Sequence, residues 1–172
     1  MSSIAAELGG SKTTLWTYFP SKQDLFAAVI DDMVARYGEA LRVPLPPDGD
    51  PADTLRALAH SLMKTLMRPQ IIAFHRIITG EAGRFPEIGA LLFERGPARG
   101  QARVSAWLAG LMEKGVLRKA DPLVAAKQFL ALCQAGQFQM RLIGALNKAN
   151  PSDVELEIDQ AVDTFLRAYA PA

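Results

Sequence analysis

Apolar residues recur at a spacing close to 3.6 along almost the whole chain, which is the period of one face of an α-helix. No segment alternates apolar and polar residues over the length of a β-strand, and clusters of Val, Ile and Thr bounded by Asn-Gly turns are absent. The sequence therefore predicts an all-α fold. Two of the clearest apolar stripes consist of Leu55, Leu58, Ala59, Leu62, Met63 and Leu66, and of Val104, Trp107, Leu108, Leu111 and Met112.

Helix-start signals and one linker divide the predicted helices into two units. Asp50-Pro51 and Asp121-Pro122 each place a side-chain acceptor at an N-cap and a proline in the first turn of a helix. The proline-rich residues 43–48 cannot form a helix, because proline lacks a backbone donor, and we interpret them as a linker. We predict a partial N-terminal unit over residues 1–42 and a larger helical domain over residues 50–172.

Composition excludes several classes of protein. The 172 residues carry 19 Lys+Arg against 18 Asp+Glu, which argues against a strongly basic histone-like chain and against an acidic disordered tail. Cys133 is the only cysteine, so an internal disulfide and a cysteine-based zinc cluster are excluded. A signal peptide and a membrane-spanning apolar run are absent from the sequence, and we expect a soluble cytosolic protein. Because phosphate-loop, metalloprotease and hydrolase motifs are also missing, we predict neither an enzyme nor a cofactor or metal site.

The segment over residues 3–19 has the spacing of a helix-turn-helix, two short helices joined by Gly9-Gly10. Leu15 and Phe19 lie four residues apart and can anchor the second helix to a core. The outward face of that helix offers hydroxyl groups, a cation and aromatic edges that can meet bases and phosphates in a major groove. These residues are Lys12, Thr13, Thr14, Trp16, Thr17 and Tyr18. Lys22, at the start of the next helix, can bind a backbone phosphate. The alternative interpretation of the whole segment is an ordinary helical hairpin with a polar face.

Residues 4–26 resemble the signature of TetR/AcrR-type transcriptional regulators, in which a helix-turn-helix is followed by Tyr18-Phe19, Ser21-Lys22 and Asp24-Leu25-Phe26 in this order. The remainder, including residues 84–87 and 96–99, resembles the helical ligand-binding domain of AefR-like members. The resemblance implies a recognition helix with its flanks, a phosphate contact by Lys22, and a further helix before the segment that starts at Ser3. By position, the recognition helix and flanks would be Ser11, Lys12, Thr13, Thr14, Trp16, Thr17 and Tyr18.

Two segments near the C-terminus are candidates for a dimer interface. Residues 122–146 are predicted to form a helix that is apolar around much of its circumference, and residues 152–169 an amphipathic helix that begins with the capping-box pattern of Ser152 and Glu155. Together they can form half of an intermolecular four-helix bundle. Packing of both helices inside the monomer is the alternative. The resemblance implies the dimer, because the last two helices of the family form it.

The resemblance also implies a small-molecule site between the helices of the larger domain, mostly apolar with a few polar groups. We expect a small apolar or amphipathic effector. Each candidate could equally be an ordinary core residue, because Met and Phe stripes at helical spacing usually form the core. The candidates are Met63, Phe74, His75, Phe85, Trp107, Met112, Cys133 and Gln137.

The sequence thus leads to one principal functional hypothesis. We expect a homodimeric, ligand-responsive transcriptional regulator, a repressor, that binds a pseudo-palindromic operator in double-stranded DNA. The first alternative is an N-terminally truncated dimeric small-molecule-binding protein without DNA-binding activity. A second alternative is an interaction module that dimerises and binds no small molecule.

Overall fold

Eight α-helices and no β-strand make up the part of the chain that the computed structural model describes, which is residues 17–38 and 42–171, with the backbone alone at residue 37. The predicted all-α fold is confirmed. None of the described helices is both long enough and apolar enough to cross a membrane. The helices are α1 (Lys22–Tyr37), α2 (Pro51–Leu66), α3 (Pro69–Ala82), α4 (Pro86–Arg95), α5 (Pro97–Glu113), α6 (Pro122–Gln134), α7 (Gln137–Leu142) and α8 (Pro151–Ala168).

Proline marks the start of six of the eight helices. The first residues of a helix have no intrahelical acceptor for their N–H groups, so the missing donor of proline costs nothing there. Both predicted aspartate caps are confirmed. Asp50 accepts a hydrogen bond from the backbone N–H of Asp53 at 2.9 Å, and Asp121 accepts from those of Leu123 and Val124 at 2.8 and 3.1 Å.

The single helix predicted over residues 122–146 is wrong, because the chain turns at Gly136 and forms α6 and α7 instead. The backbone N–H of Gln137 donates to both carboxylate oxygens of Glu157 on α8, at 3.0 Å each. A Cβ at position 136 would overlap that carboxylate, so a larger residue there would displace the Glu157 side chain from this contact. After α7 the chain closes with a hydrogen bond from the N–H of Leu146 to the carbonyl of Met140, at 3.2 Å. Periodicity alone could not reveal this break, since the capping carboxylate lies twenty residues further along the chain.

The start of the last helix also differs from the prediction. Asn150, not Ser152, is the N-cap, and its side chain accepts a hydrogen bond from the backbone N–H of Ser152 at 3.1 Å. Pro151 then occupies the first helical position, so the capping-box assignment of Ser152 is wrong. The helix ends at Ala168, and Tyr169 is its C-cap.

The main core lies between α2, α5, α6 and α8. Phe129 of α6 and Phe165 of α8 are fully buried and pack edge to face, with ring centroids 5.3 Å apart. Tyr169 stacks on Phe165 at 4.6 Å and donates its hydroxyl proton to Gln128 at 2.6 Å, which satisfies the one polar atom of the aromatic stack. Both apolar stripes of the sequence face this core, as predicted.

A second, smaller cluster attaches α1 to α3 and α4. It is built from the buried side chains of Ile30, Phe74, Ile78 and Ile88. Because α1 has few other neighbours in the described part of the chain, this cluster determines where α1 sits on the bundle.

The proline-rich linker lies along α5 and is fastened to it. The indole Nε1 of Trp107 donates to the carbonyl of Pro46 at 3.0 Å. The ammonium of Lys114 donates to the carbonyl of Pro47 at 2.8 Å and to the carboxylate of Asp48 at 2.6 Å. Residues 43–48 therefore follow a defined path along α5, although they are not helical.

Candidate functional site

A cavity of about 340 Å³ lies where α1 meets the bundle, and five other helices, α2 to α6, contribute to its wall. Its size falls at the lower end of the range for small-molecule sites in proteins, and most of its lining is apolar. The lining includes Ile30, Met33 and Val34 of α1; Leu58, Leu62, Thr65 and Leu66 of α2; Ile71, Phe74 and His75 of α3; Leu92 of α4; Gln101, Arg103 and Val104 of α5; and Leu130 and Gln134 of α6.

Three polar side chains on α2, α3 and α6 interrupt the apolar wall. The hydroxyl of Thr65 is buried and has no hydrogen-bond partner. Nδ1 of His75 lies 2.9 Å from the carbonyl oxygen of Ile71, one turn earlier in α3. The amide nitrogen of Gln134 donates to the carbonyl of Leu130 at 2.8 Å. A buried hydroxyl without a hydrogen-bond partner lowers the stability of the folded protein. A ligand that forms a hydrogen bond with Thr65 would remove this destabilisation.

Arg103 of α5 is the one charged side chain among the described residues that line the cavity. It forms no ion pair with any described residue, and no acidic side chain shares this wall. The electrostatic field at this wall therefore favours neutral or anionic groups over cations. No cluster of three metal-ligating side chains occurs in the described ranges.

Two ion pairs connect α1 to the bundle, one on either side of the small cluster. At the start of α1, the ammonium of Lys22 lies 2.5 Å from the carboxylate of Glu81 on α3, and both side chains are about one-third exposed. The hydrogen bond from Lys22 is the main cause that holds the pKa of Glu81 below its ordinary value. Further along α1, Asp31 accepts from the guanidinium of Arg95 on α4, which also donates to the carbonyl of Ala27 at 3.3 Å.

Two of the residues predicted to bind a ligand line this cavity, namely Phe74 and His75. The rings of Phe74 and Phe138 flank the His75 ring edge to face, with centroid separations of 6.3 and 5.9 Å. The aromatic contacts and the bond to Ile71 hold the imidazole in one orientation.

Four other predicted ligand residues are buried in the main core and do not line this cavity, although Trp107 lines a second cavity of about 390 Å³ beside the linker. Met63, Met112 and Cys133 pack against core neighbours, and Trp107 is bonded to the linker. Burial raises the pKa of the Cys133 thiol to about 12, which makes it an inert apolar group at ordinary pH. Their role in ligand binding stays a prediction.

Gln137 and Phe85 are placed in structural contacts. The carbonyl oxygen of the Gln137 side chain accepts from the backbone N–H of Asn150 at 3.2 Å, and its amide nitrogen lies 3.4 Å from the carboxylate of Asp153. The ring of Phe85 packs against the small cluster and under the ammonium of Lys22. Ligand binding by these two residues also stays a prediction.

Sequence reasoning did not select the α1 residues of the cavity, nor Thr65, Gln101 or Arg103. A signal for Thr65 exists in the sequence, because it is a polar residue next to the apolar stripe of α2 and one position before Leu66. No comparable signal marks Ile30, since an apolar residue at helical spacing looks the same whether it faces a core or a cavity.

The predicted DNA-contacting residues fall partly outside the described ranges, which leave out Ser11, Lys12, Thr13, Thr14 and Trp16. Of the others, Thr17 and Tyr18 are helical and exposed. Lys22 is the first residue of α1, and the N-cap of this helix is Ser21, whose side chain accepts a hydrogen bond from the N–H of Asp24 at 3.0 Å. DNA contact by these side chains stays a prediction.

Two family profiles match the chain. Residues 53–171 match the C-terminal domain of AefR-like transcriptional repressors, and residues 1–29 match the tetR family of bacterial regulatory proteins. Among curated proteins no significant match was found.

Solved structures share the fold over nearly the whole chain. The flavonoid-responsive regulator FrrA is 36% identical, with 99% of this chain and 86% of FrrA covered and a TM-score of 0.75. A TetR transcriptional regulator from Agrobacterium tumefaciens is 28% identical, with 98% and 82% covered and a TM-score of 0.76. A TetR-family protein from Mesorhizobium loti has a TM-score of 0.82 at 24% identity, with 98% and 85% covered, and indicates the fold alone.

Proposed function

Because the chain belongs to the TetR family of bacterial regulatory proteins, we propose that it is a ligand-responsive transcriptional repressor that binds a pseudo-palindromic DNA operator as a homodimer. The residues predicted to touch DNA are Ser11, Lys12, Thr13, Thr14, Trp16, Thr17, Tyr18 and Lys22. Two such units in one dimer would enter successive major grooves, which gives the operator its symmetry. DNA binding places this function in the cytoplasm.

The observation that carries the proposal is the shared wall of the cavity. Ile30, Met33 and Val34 come from α1, whereas the rest of the lining comes almost entirely from the bundle that follows the linker. A ligand between them contacts α1 directly and can move it relative to the bundle. Because α1 begins four residues after Tyr18, a displacement of α1 would change the position of the recognition helix. By linkage, the operator then weakens ligand binding by the same factor as the ligand weakens operator binding.

Exposed apolar side chains support a dimer through the C-terminal helices. Among the described residues, nine large apolar side chains are exposed, and five of them lie between the start of α6 and the end of α8. Exposed large apolar side chains are typical of a protein interface. The five are Leu123, Val124, Met140, Ile143 and Leu156.

The effector that we propose is a small apolar or amphipathic molecule. The apolar lining and the volume of about 340 Å³ suit a compound of modest size. FrrA, which is 36% identical over almost the whole chain, is described as flavonoid-responsive, so flavonoids are the first compounds to test.

The test begins with the full chain and a random pool of DNA duplexes. Selected duplexes should contain two half-sites related by a two-fold axis and should bind with an affinity that falls steeply with salt concentration. Adding naringenin, a flavonoid, should weaken the complex. Leu156→Glu should dissociate the dimer in analytical ultracentrifugation and abolish operator binding, whereas Glu155→Gln, at the neighbouring exposed position, should preserve both.

Failure to enrich any DNA sequence would contradict the proposal. If the chain then still dimerises and binds naringenin, it is a dimeric ligand-binding protein without DNA-binding activity. If it dimerises and binds neither DNA nor a small molecule, it acts as an interaction module.

A further inference from the structure

The hydrogen bonds within α3 determine which atom of His75 is left for a ligand. Nδ1 lies 2.9 Å from the backbone carbonyl oxygen of Ile71. A carbonyl oxygen only accepts, so Nδ1 carries the proton, and Nε2 of the neutral ring is left as an acceptor. Nε2 has no hydrogen-bond partner in the described part of the chain. His75 lines the cavity, and the acceptor that remains on its ring is Nε2.

Gln134 on α6, which also lines the cavity, is constrained in the same way. Its amide nitrogen donates to the carbonyl oxygen of Leu130 at 2.8 Å, so the side-chain oxygen is the group left over. Like Nε2 of His75, this oxygen is an acceptor. The hydroxyl of Thr65, which can donate or accept, is buried without a partner. His75, Gln134 and Thr65, which all line the cavity, thus carry two acceptors and one hydroxyl, beside the polar side chains of Gln101 and Arg103.

Charge narrows the ligand class further. A protonated amine would supply donors, but no described acidic side chain lines the cavity to balance it, and Arg103 would repel it. A neutral hydroxyl supplies a donor without a charge. The faces and edges of Phe74 and the His75 ring suit a flat apolar group next to that hydroxyl.

We propose that the cavity selects phenols, which are neutral and donate the phenolic proton to Nε2 of His75. The side-chain oxygen of Gln134 accepts a hydrogen bond from a second hydroxyl group of the ligand. The inference rests on the proposed function, because it assumes that the cavity is the effector site. A methyl ether of the same ring system fills the same space but has no proton to donate to Nε2 of His75. We expect such an ether to bind about tenfold more weakly than the phenol.

The test compares 4-hydroxybiphenyl with 4-methoxybiphenyl on the full chain, by the change in Trp fluorescence and by calorimetry. The wild type should bind the phenol about tenfold more tightly than the ether. His75→Phe keeps the ring and removes the acceptor, so the preference should fall to about one, chiefly through weaker binding of the phenol. The control is His60→Phe, because His60 lies on α2 beside Glu155 and outside the cavity lining, and it should keep the wild-type preference.

A second variant, Gln134→Met, keeps the inference testable if the His75 variant fails to fold. This variant should still bind 4-hydroxybiphenyl more tightly than 4-methoxybiphenyl. It should bind 4,4′-dihydroxybiphenyl no more tightly than 4-hydroxybiphenyl, whereas the wild type should bind the dihydroxy compound more tightly. Equal binding of phenol and ether by the wild type would overturn the inference while leaving the cavity as a ligand site. Failure of every biphenyl to bind would also overturn it, and the naringenin and operator measurements would then decide the proposed function separately.

Discussion

The ammonium of Lys22 lies 2.5 Å from a carboxylate oxygen of Glu81 and 4.0 Å from the centroid of the Phe85 ring, so the first residue of α1 is tied to the far end of α3. The same ammonium is the one that the sequence predicts to contact a DNA phosphate. While the ammonium of Lys22 is paired with the carboxylate of Glu81, it binds a phosphate less strongly. The two contacts therefore compete, and variants at the two positions can separate them.

The first prediction concerns DNA affinity. Lys22→Met should weaken binding to the selected operator and reduce the slope of log K against log salt by about 1, because one phosphate contact is lost. Glu81→Gln should strengthen binding, because it releases the ammonium of Lys22. Fluorescence anisotropy over a salt series measures both effects. Weaker binding by Glu81→Gln would show that Lys22 acts only by positioning α1.

The second prediction concerns pH. The pKa of Glu81 is held below its ordinary value, chiefly by the hydrogen bond from Lys22, so this carboxylate stabilises the folded state above the unfolded pKa. That contribution should be lost as the pH falls through the folded-state pKa. Urea midpoints of wild type and Glu81→Gln should therefore differ modestly near neutral pH and converge in acid. The exposed Glu113 provides the control, since Glu113→Gln should change the midpoint at neither pH. A difference that grows in acid would contradict the assignment.

The third prediction concerns the unpaired hydroxyl of Thr65. Thr65→Val keeps the shape of the side chain and removes a buried polar atom without a partner, so it should stabilise the ligand-free protein by about 1 kcal/mol. Chemical denaturation measures the change. Thr79→Val, at an exposed position on α3, should alter stability by less than about 0.5 kcal/mol. A destabilised Thr65→Val protein would show that the hydroxyl has a partner in solution.

The fourth prediction uses two glycines with opposite surroundings. At Gly136, a Cβ would displace the Glu157 carboxylate that caps α7, so Gly136→Ala should cost about 1 kcal/mol or more. Gly110 lies inside α5 with no atom near a built Cβ, and Gly110→Ala should stabilise by about 0.5–1 kcal/mol. The melting temperatures of both variants, compared with that of the wild type, test this prediction. The account of the break before α7 fails if both substitutions shift the melting temperature upward.

The fifth prediction concerns the only thiol. Burial raises the pKa of Cys133 to about 12, so Ellman's reagent should modify the native protein slowly near pH 8 and the urea-unfolded protein rapidly. A raised folded-state pKa stabilises the fold fully below the unfolded pKa, and that contribution is lost as the pH rises through alkaline values. The wild type should therefore lose stability relative to Cys133→Ala in alkaline urea titrations. Fast modification of the native thiol would contradict its burial.

The helices were predictable because their causes are local. The apolar stripe of α2 from Leu55 to Leu66 and the aspartate caps at Asp50 and Asp121 depend on residues within a few positions of one another. Errors occurred where a distant residue decided the outcome. Glu157 caps α7 from twenty residues away and turns one predicted helix into two, and Asn150 replaced Ser152 as the cap of α8.

The site was harder to predict than the fold. Phe74 and His75 line the cavity, but Met63, Met112 and Cys133 belong to the core, where the same apolar character has a different use. Helical spacing indicates that a residue faces inward. It does not indicate whether the neighbours fill the space in front of that residue.

By itself, the sequence determined an all-α chain, most of its helix starts and the resemblance to one family of regulators, since periodicity, caps and short motifs act over a few residues. Only the tertiary structure decided that α1 shares a cavity with the bundle, that Lys22 meets Glu81, and which polar atoms of that wall lack partners. Those features depend on how helices far apart in the chain pack, and packing is set by side-chain volumes and hydrogen bonds that no local pattern records.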